Sequence, residues 1–123
     1  MSVPENLRYD ADGLVPVAVQ DFESRAVLML AFMNREALEH TIATGRVTYW
    51  SRSRRKLWVK GETSGFKQFV KAIYVNCESN SLLIEAEQVG AACHEGYRTC
   101  YYRRLSPAGD ALETVQEQIA EAY

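Results

Sequence analysis

Apolar and polar positions alternate in short blocks over most of this chain. Residues 15–19 and 26–33 are apolar, β-leaning runs separated by the polar stretch Asp21-Phe22-Glu23-Ser24-Arg25, a pattern that predicts a hairpin. Asn34 follows as an N-cap, Glu36 falls in the first turn, Leu38, Ile42 and Ala43 recur at helical spacing, and Gly45 stands where a helix would end. A helix is therefore predicted over 35–44. Residues 47–51, 56–60, 68–76 and 81–88 have strand composition, and the apolar run 69–75 is broken mainly by Lys71. Residues 100–105 predict one more short strand. In 110–123, Leu112, Val115, Ile119 and Ala120 stand at helical spacing among acids, which predicts a C-terminal helix.

Short turns rather than crossover helices join most of these strands, so the expected fold class is α+β with a mainly antiparallel sheet. No repeat, low-complexity tract or linker interrupts the pattern, and Pro4, Pro16 and Pro107 fall at element edges, so residues 1–123 read as one domain. Composition permits this, because 123 residues at 47% hydrophobic content can bury one core without disulfide staples. Charge narrows the partners: Lys plus Arg total 14 against 16 Asp plus Glu, a net −2 that speaks against a general nucleic-acid binder or a polybasic membrane-surface protein. Residues 1–13 lack the basic-then-apolar design of a signal peptide, and no apolar run approaches the ~20 residues needed to cross a bilayer. The expectation is a cytoplasmic protein without a membrane partner.

Three cysteines cannot all pair within one chain, and a reducing cytoplasm disfavours disulfides, which leaves inert core thiols and metal ligands as readings. Composition alone favours the first. Cys77, Cys93 and Cys100 are spaced C-x15-C-x6-C, with His94 directly after the second. A structural zinc closes its shell with four ligands, whereas a catalytic zinc keeps three protein ligands and a position for water, so three thiolates without an evident fourth partner suggest the open kind. Neighbouring strand residues point to opposite faces, so Cys93 and His94 share one ion only where the backbone turns. His94 reads better as a proton-transfer group beside the metal, and His40 as a surface or core-edge residue.

A second constellation runs over 49–65 and gathers Trp50, Ser51, Arg52, Ser53, Arg54, Trp58, Lys60, Gly61, Thr63, Ser64 and Gly65. It offers cations for phosphate, hydroxyl donors, glycines for close backbone approach and aromatic faces for stacking on a base. Such a set suits a nucleotide-like small molecule; a solvated basic hairpin anchored by its two tryptophans is the alternative.

The motifs Val19-Gln20-Asp21, Met29-Leu30-Ala31-Phe32-Met33-Asn34, Tyr49-Trp50-Ser51-Arg52-Ser53-Arg54, Trp58-Val59-Lys60-Gly61-Glu62-Thr63-Ser64-Gly65 and Ala92-Cys93-His94-Glu95-Gly96-Tyr97-Arg98-Thr99-Cys100 occur in this order. Together they resemble the phosphoribosyl-AMP cyclohydrolase family, a likeness that runs over about 13–103. The resemblance implies an intertwined homodimer with active sites at the subunit interface, each zinc taking Cys77 from one chain and Cys93 and Cys100 from the other. It implies hydrolysis of the adenine N1–C6 bond of N1-(5-phosphoribosyl)-AMP, giving the formimino carboxamide ribonucleotide in histidine biosynthesis. Zinc brings bound water to a pKa near ~7. His94 would carry a proton to the leaving nitrogen, while Arg52, Arg54, Lys60 and Arg98 would hold the phosphates at the two substrate ends.

The chain departs from the family at one place. Family members carry an Asp-Cys-Asp-x-Asp pattern that binds magnesium, and this chain has Asn76-Cys77-Glu78-Ser79-Asn80. Three carboxylates have become one, and magnesium depends on anionic oxygen ligands, so a magnesium site at Asn76, Glu78 and Asn80 is degenerate. Three further readings follow: a paralogue that opens or deaminates another purine-like substrate, a binding or regulatory protein derived from the enzyme, and a dimer in which zinc is purely structural.

Overall fold

In the computed structural model, which describes residues 3–123, strand β1 (Val15–Asp21) turns alternate residues inward, and Val15, Val17 and Val19 are fully buried. Residues 1 and 2, the start of the single domain expected over 1–123, lie outside the described residues. The polar stretch that follows is closed by Asp21, whose carboxylate accepts from the Ser24 amide at 3.0 Å and the Ser24 hydroxyl at 2.6 Å. Strand β2 (Val27–Met33) returns antiparallel, completing the predicted hairpin.

Helix α1 (Arg35–Thr44) occupies the span that the capping signals predict. The Asn34 side chain accepts from the Ala37 amide at 2.8 Å, and Gly45 adopts φ 73°, a left-handed conformation that costs glycine little. Ala37, Leu38 and Thr41 face the core. The buried Thr41 hydroxyl donates to the carbonyls of Ala37 (2.8 Å) and Thr48 (3.2 Å) and accepts from the Thr48 amide (3.0 Å), tying the helix to the next strand.

Strands β3 (Thr48–Ser51) and β4 (Lys56–Val59) form a separate two-stranded ribbon. Strands β5 (Gln68–Val75) and β6 (Leu82–Gln88) join the first hairpin in a four-stranded sheet of order β2-β1-β6-β5. Lys71, which breaks the apolar run of β5, marks a shift in register between Val70 and Ala72. The fold is α+β and mainly antiparallel, as expected, but its centre is a parallel pair, β1 with β6. The chain between them, carrying α1 and four strands, supplies the long return that a parallel pairing needs. Among the described residues no helix is long and apolar enough to cross a membrane.

The C-terminal helix expected over 110–123 does not form. Strand β7 (Arg103–Leu105) pairs instead with β8 (Leu112–Thr114), and the residues beyond run extended along 94–97. Two causes are visible. Leu112 and Ile119 are 58% and 55% exposed, so an apolar helical stripe would have no core to cover, and a short helix without packing is marginal in water. Glu113, Glu117 and Glu121 would also stack at i, i+4 spacing, where like charges repel.

The core joins β1, β2 and β6 to α1 and β3 through Val17, Leu28, Met33, Leu38, Tyr49 and Ile84. Because Thr41 links helix and ribbon through buried polar groups, Thr41→Val should leave the Thr48 amide without its acceptor. Urea unfolding should show a loss of about 1–3 kcal/mol with an unchanged m-value, and a loss below a few tenths would disprove the link.

Candidate active site

The β3–β4 ribbon and the segment 60–67 form one wall of a cleft of about 600 Å³, and His94 and Tyr123 face it from the other side. Tyr49 anchors the ribbon: its side chain is fully buried, its hydroxyl donates to the Gln68 amide oxygen, and its ring meets Trp58 at 5.4 Å. That contact leaves the Trp58 indole partly exposed in the cleft. Gly61, at φ +79°, lets the chain double back. A Cβ there would lie 2.5 Å from the Lys67 nitrogen, so any side chain would push the turn open.

Ser51, Ser53, Arg54, Trp58, Lys60, Gly61, Thr63, Ser64 and His94, all expected from the sequence, line this cleft. Lys56, Leu57 and Glu62, also within 49–65, line it as well, as does Tyr123, which carries no motif signal. Trp50, Arg52, Gly65 and Arg98 do not line it. The Arg52 guanidinium lies 4.0 Å above the Phe32 ring, half-buried Trp50 pairs with Leu57 in the ladder, and Gly65 closes its turn by donating to the Gly61 carbonyl at 2.9 Å. Arg98 donates from Nη1 to the carbonyls of Gln88 (2.8 Å) and Gly90 (2.9 Å) and from Nη2 to Asp21 at 3.5 Å, which ties its guanidinium to the stem of the next loop.

Lys60 is the least expected of the cleft residues in its setting. It is 2% exposed, and its ammonium donates to the Ala92 carbonyl at 2.7 Å and the Tyr123 hydroxyl at 3.1 Å. Burial lowers its pKa, while the Cys100 and Cys93 thiols beside it act in the opposite direction. The ammonium thus sits between the cleft it lines and the two thiols.

Cys93 and Cys100 are brought together within one loop. Cys93 is buried and its main chain is held by Tyr97 and Gly96, while the Cys100 amide donates to Leu28 at 2.8 Å. The two thiols lie beside each other, and burial together with Cys93 pushes Cys100 up to about 11, against the pull of Lys60. Two adjacent thiols form a donor pair suited to a thiophilic divalent ion.

Cys77 stands apart, exposed in the β5–β6 turn. Among the described residues no three His, Cys, Asp or Glu side chains come together within this chain. The Asn76 side-chain oxygen accepts from the amides of Asn80 (2.8 Å) and Ser81 (2.9 Å), and its amide group donates to the Asn80 oxygen at 2.6 Å. Both asparagines hold the turn. Glu78 remains its one exposed carboxylate.

A family model described as phosphoribosyl-AMP cyclohydrolase matches residues 29–102. The chain is 51% identical over 93% of its length to the phosphoribosyl-AMP cyclohydrolase of Pelotomaculum thermopropionicum, covering 88% of that protein. It is 52% identical over 95% of its length to the enzyme of the same name from Methanosarcina acetivorans, covering 92% of it. This chain belongs to the phosphoribosyl-AMP cyclohydrolase family. It is 52% identical over 92% of its length to the histidine biosynthesis bifunctional protein HisIE of Thermosynechococcus vestitus, of which it covers 53%. The cyclohydrolase match takes in the ribbon, all three cysteines and His94, and stops short of β7, β8 and Tyr123.

In this cyclohydrolase the Asp21–Arg98 pair braces the loop of the thiols, and it has a pH signature. Burial alone would raise the Asp21 carboxyl, but the two Ser24 hydrogen bonds and Arg98 outweigh it and hold the group below its ordinary value. A carboxyl depressed in the folded state contributes stability above its unfolded pKa and loses it as pH falls through the folded one. Asp21→Asn should therefore cost about 1–2 kcal/mol at pH 7 by urea unfolding, with the gap to wild type closing as the pH drops below the usual carboxylate range. A gap independent of pH would show that the charge is irrelevant.

Proposed function

We propose that the chain hydrolyses the N1–C6 bond of the adenine ring in N1-(5-phosphoribosyl)-AMP, in histidine biosynthesis and in the cytoplasm. The observation that carries this reading is the pair of neighbouring thiols, Cys93 and Cys100, beside Lys60, which with His94 lines a cationic, aromatic cleft. Zinc would be held by Cys93, Cys100 and the partner subunit's Cys77 in a homodimer with shared sites. Support for the second copy comes from β5, an edge strand that exposes Tyr74 and Val75 just before Cys77. Bound zinc supplies acidified water at neutral pH.

The chain's own residues do the rest. Trp58 stacks on the purine, and Arg54 and Lys56 bind phosphate, with Ser51, Ser53, Thr63 and Ser64 as further donors. His94 takes a proton from the attacking water as its oxygen bonds to C6, and delivers it to N1 as the N1–C6 bond breaks. C6 and its exocyclic amine become the carboxamide, and N1 leaves within the formimino group. Magnesium has no place in this proposal, because Asn76 and Asn80 already close their own turn. The same turn favours a second reading, a paralogue acting on another purine-like substrate.

An absorbance assay with N1-(5-phosphoribosyl)-AMP, run with zinc alone and then with added magnesium, separates the two. Turnover with zinc alone is expected, lost on chelation and restored by zinc. A folded, zinc-loaded dimer inactive under both conditions would move the assignment to the paralogue. His94→Ala should keep zinc and the dimer and lower kcat by about 10²–10⁴-fold; near-normal kcat would remove the proton-transfer role.

A further inference from the structure

We infer that Tyr123 is a positioning residue for the loop of Cys93 and His94, fixing that loop from outside the portion of the chain that the family model matches. The inference rests on the proposed reaction at this cleft. Loop 91–96 has no strand to pair with, so each of its carbonyls needs a separate donor. The tail supplies most of them. The Tyr123 hydroxyl donates to Ala91 at 2.9 Å and approaches the Ala92 carbonyl at 3.3 Å, and the Tyr123 amide donates to His94 at 2.7 Å. The Gln118 side chain donates to the Glu95 carbonyl at 2.9 Å, and the amides of Ile119 and Ala120 donate to Gly96. Only the Cys93 carbonyl is satisfied within the loop, by the Gly96 amide.

The fit is close on both sides. A Cβ on Gly96 would fall 2.0 Å from the Ala120 carbonyl oxygen, so the tail lies where only a glycine permits it. The Tyr123 ring meets Phe66 edge-on at 5.3 Å and forms part of the cleft wall, and its hydroxyl accepts from the Lys60 ammonium at 3.1 Å. One side chain thus links the buried ammonium, the thiol loop and the cleft. The Tyr123 ring positions the wall, and its hydroxyl positions Lys60 and the loop.

Two variants in the full-length protein separate these parts. Tyr123→Phe keeps the ring and removes the hydroxyl; Tyr123→Ala removes both. Amide hydrogen exchange at Ala92, Cys93 and Gly96, which needs no substrate, should quicken about tenfold in Tyr123→Phe and further in Tyr123→Ala, with an unchanged thermal midpoint for the whole protein. With N1-(5-phosphoribosyl)-AMP as substrate, Tyr123→Phe should lower kcat about tenfold and leave KM within about twofold, whereas Tyr123→Ala should raise KM as well. Unchanged loop exchange in both variants overturns the inference, as does a Tyr123→Phe enzyme with wild-type kcat. If wild type itself gives no turnover, the proposed reaction fails alone, and the exchange measurement still decides the role of Tyr123.

Discussion

A loop that carries reactive groups cannot use a β-ladder to satisfy its own backbone, and in this protein that constraint falls on 89–102, home of Cys93, His94 and Cys100. Inside the loop, the Ala92 amide donates to Arg98 and the Cys93 amide to Tyr97. The Gly96 amide caps the Cys93 carbonyl, and the other main partners come from distant parts of the chain: Leu28 receives the Cys100 amide, Lys60 donates to Ala92, and the tail caps the carbonyls of Ala91, His94, Glu95 and Gly96. Arg98 fastens the stem by donating to Gln88 and Gly90, and Asp21 braces Arg98 from the first hairpin. An unpaired buried carbonyl costs about as much as a lost hydrogen bond, so these partners fix the place of the two thiols together or not at all.

The same economy explains the buried Lys60. Moving an ammonium out of water is unfavourable unless it is both hydrogen-bonded and compensated in charge. Here the Ala92 carbonyl and Tyr123 hydroxyl provide the bonds, and the thiols of Cys93 and Cys100 favour the charged form. A lysine placed in this way favours the ionised form of Cys100, against the burial and the neighbouring thiol that oppose it. Its burial is thus tied to the chemistry of its neighbours rather than to the stability of the core.

Features set by near neighbours in sequence are legible from the chain itself. Alternation in β1, the Asn34 cap and the Gly45 stop are local rules, and helix α1 and the strands up to β6 form within a residue or two of the expected spans. The tail escapes such rules because its competing partners, the carbonyls of 91–96, lie far away in sequence and come within reach only once the loop is folded. The parallel β1–β6 pairing is hidden from local pattern for the same reason. Within the site, residue type indicates which side chains can bind phosphate but not which are already occupied: Arg52 covers Phe32 and Arg98 holds carbonyls, although by type both are as available as Arg54.

That division among the cations also explains how a chain of net charge −2 can present a positive cleft. Arg25, Lys71 and Arg104 are matched by Glu85, Glu87 and Glu113, and Arg46 lies against Phe69. Among the described residues no hydrogen bond or ion pair engages the side chains of Arg54 or Lys56, which sit at the turn of the β3–β4 ribbon with Glu62 as the single acid lining the cleft. The ladder holds Lys56 opposite Ser51, and the contact of Tyr49 with Trp58 anchors the ribbon that carries them. A rigid support lets a surface keep the field of its cations instead of neutralising it with its own side chains.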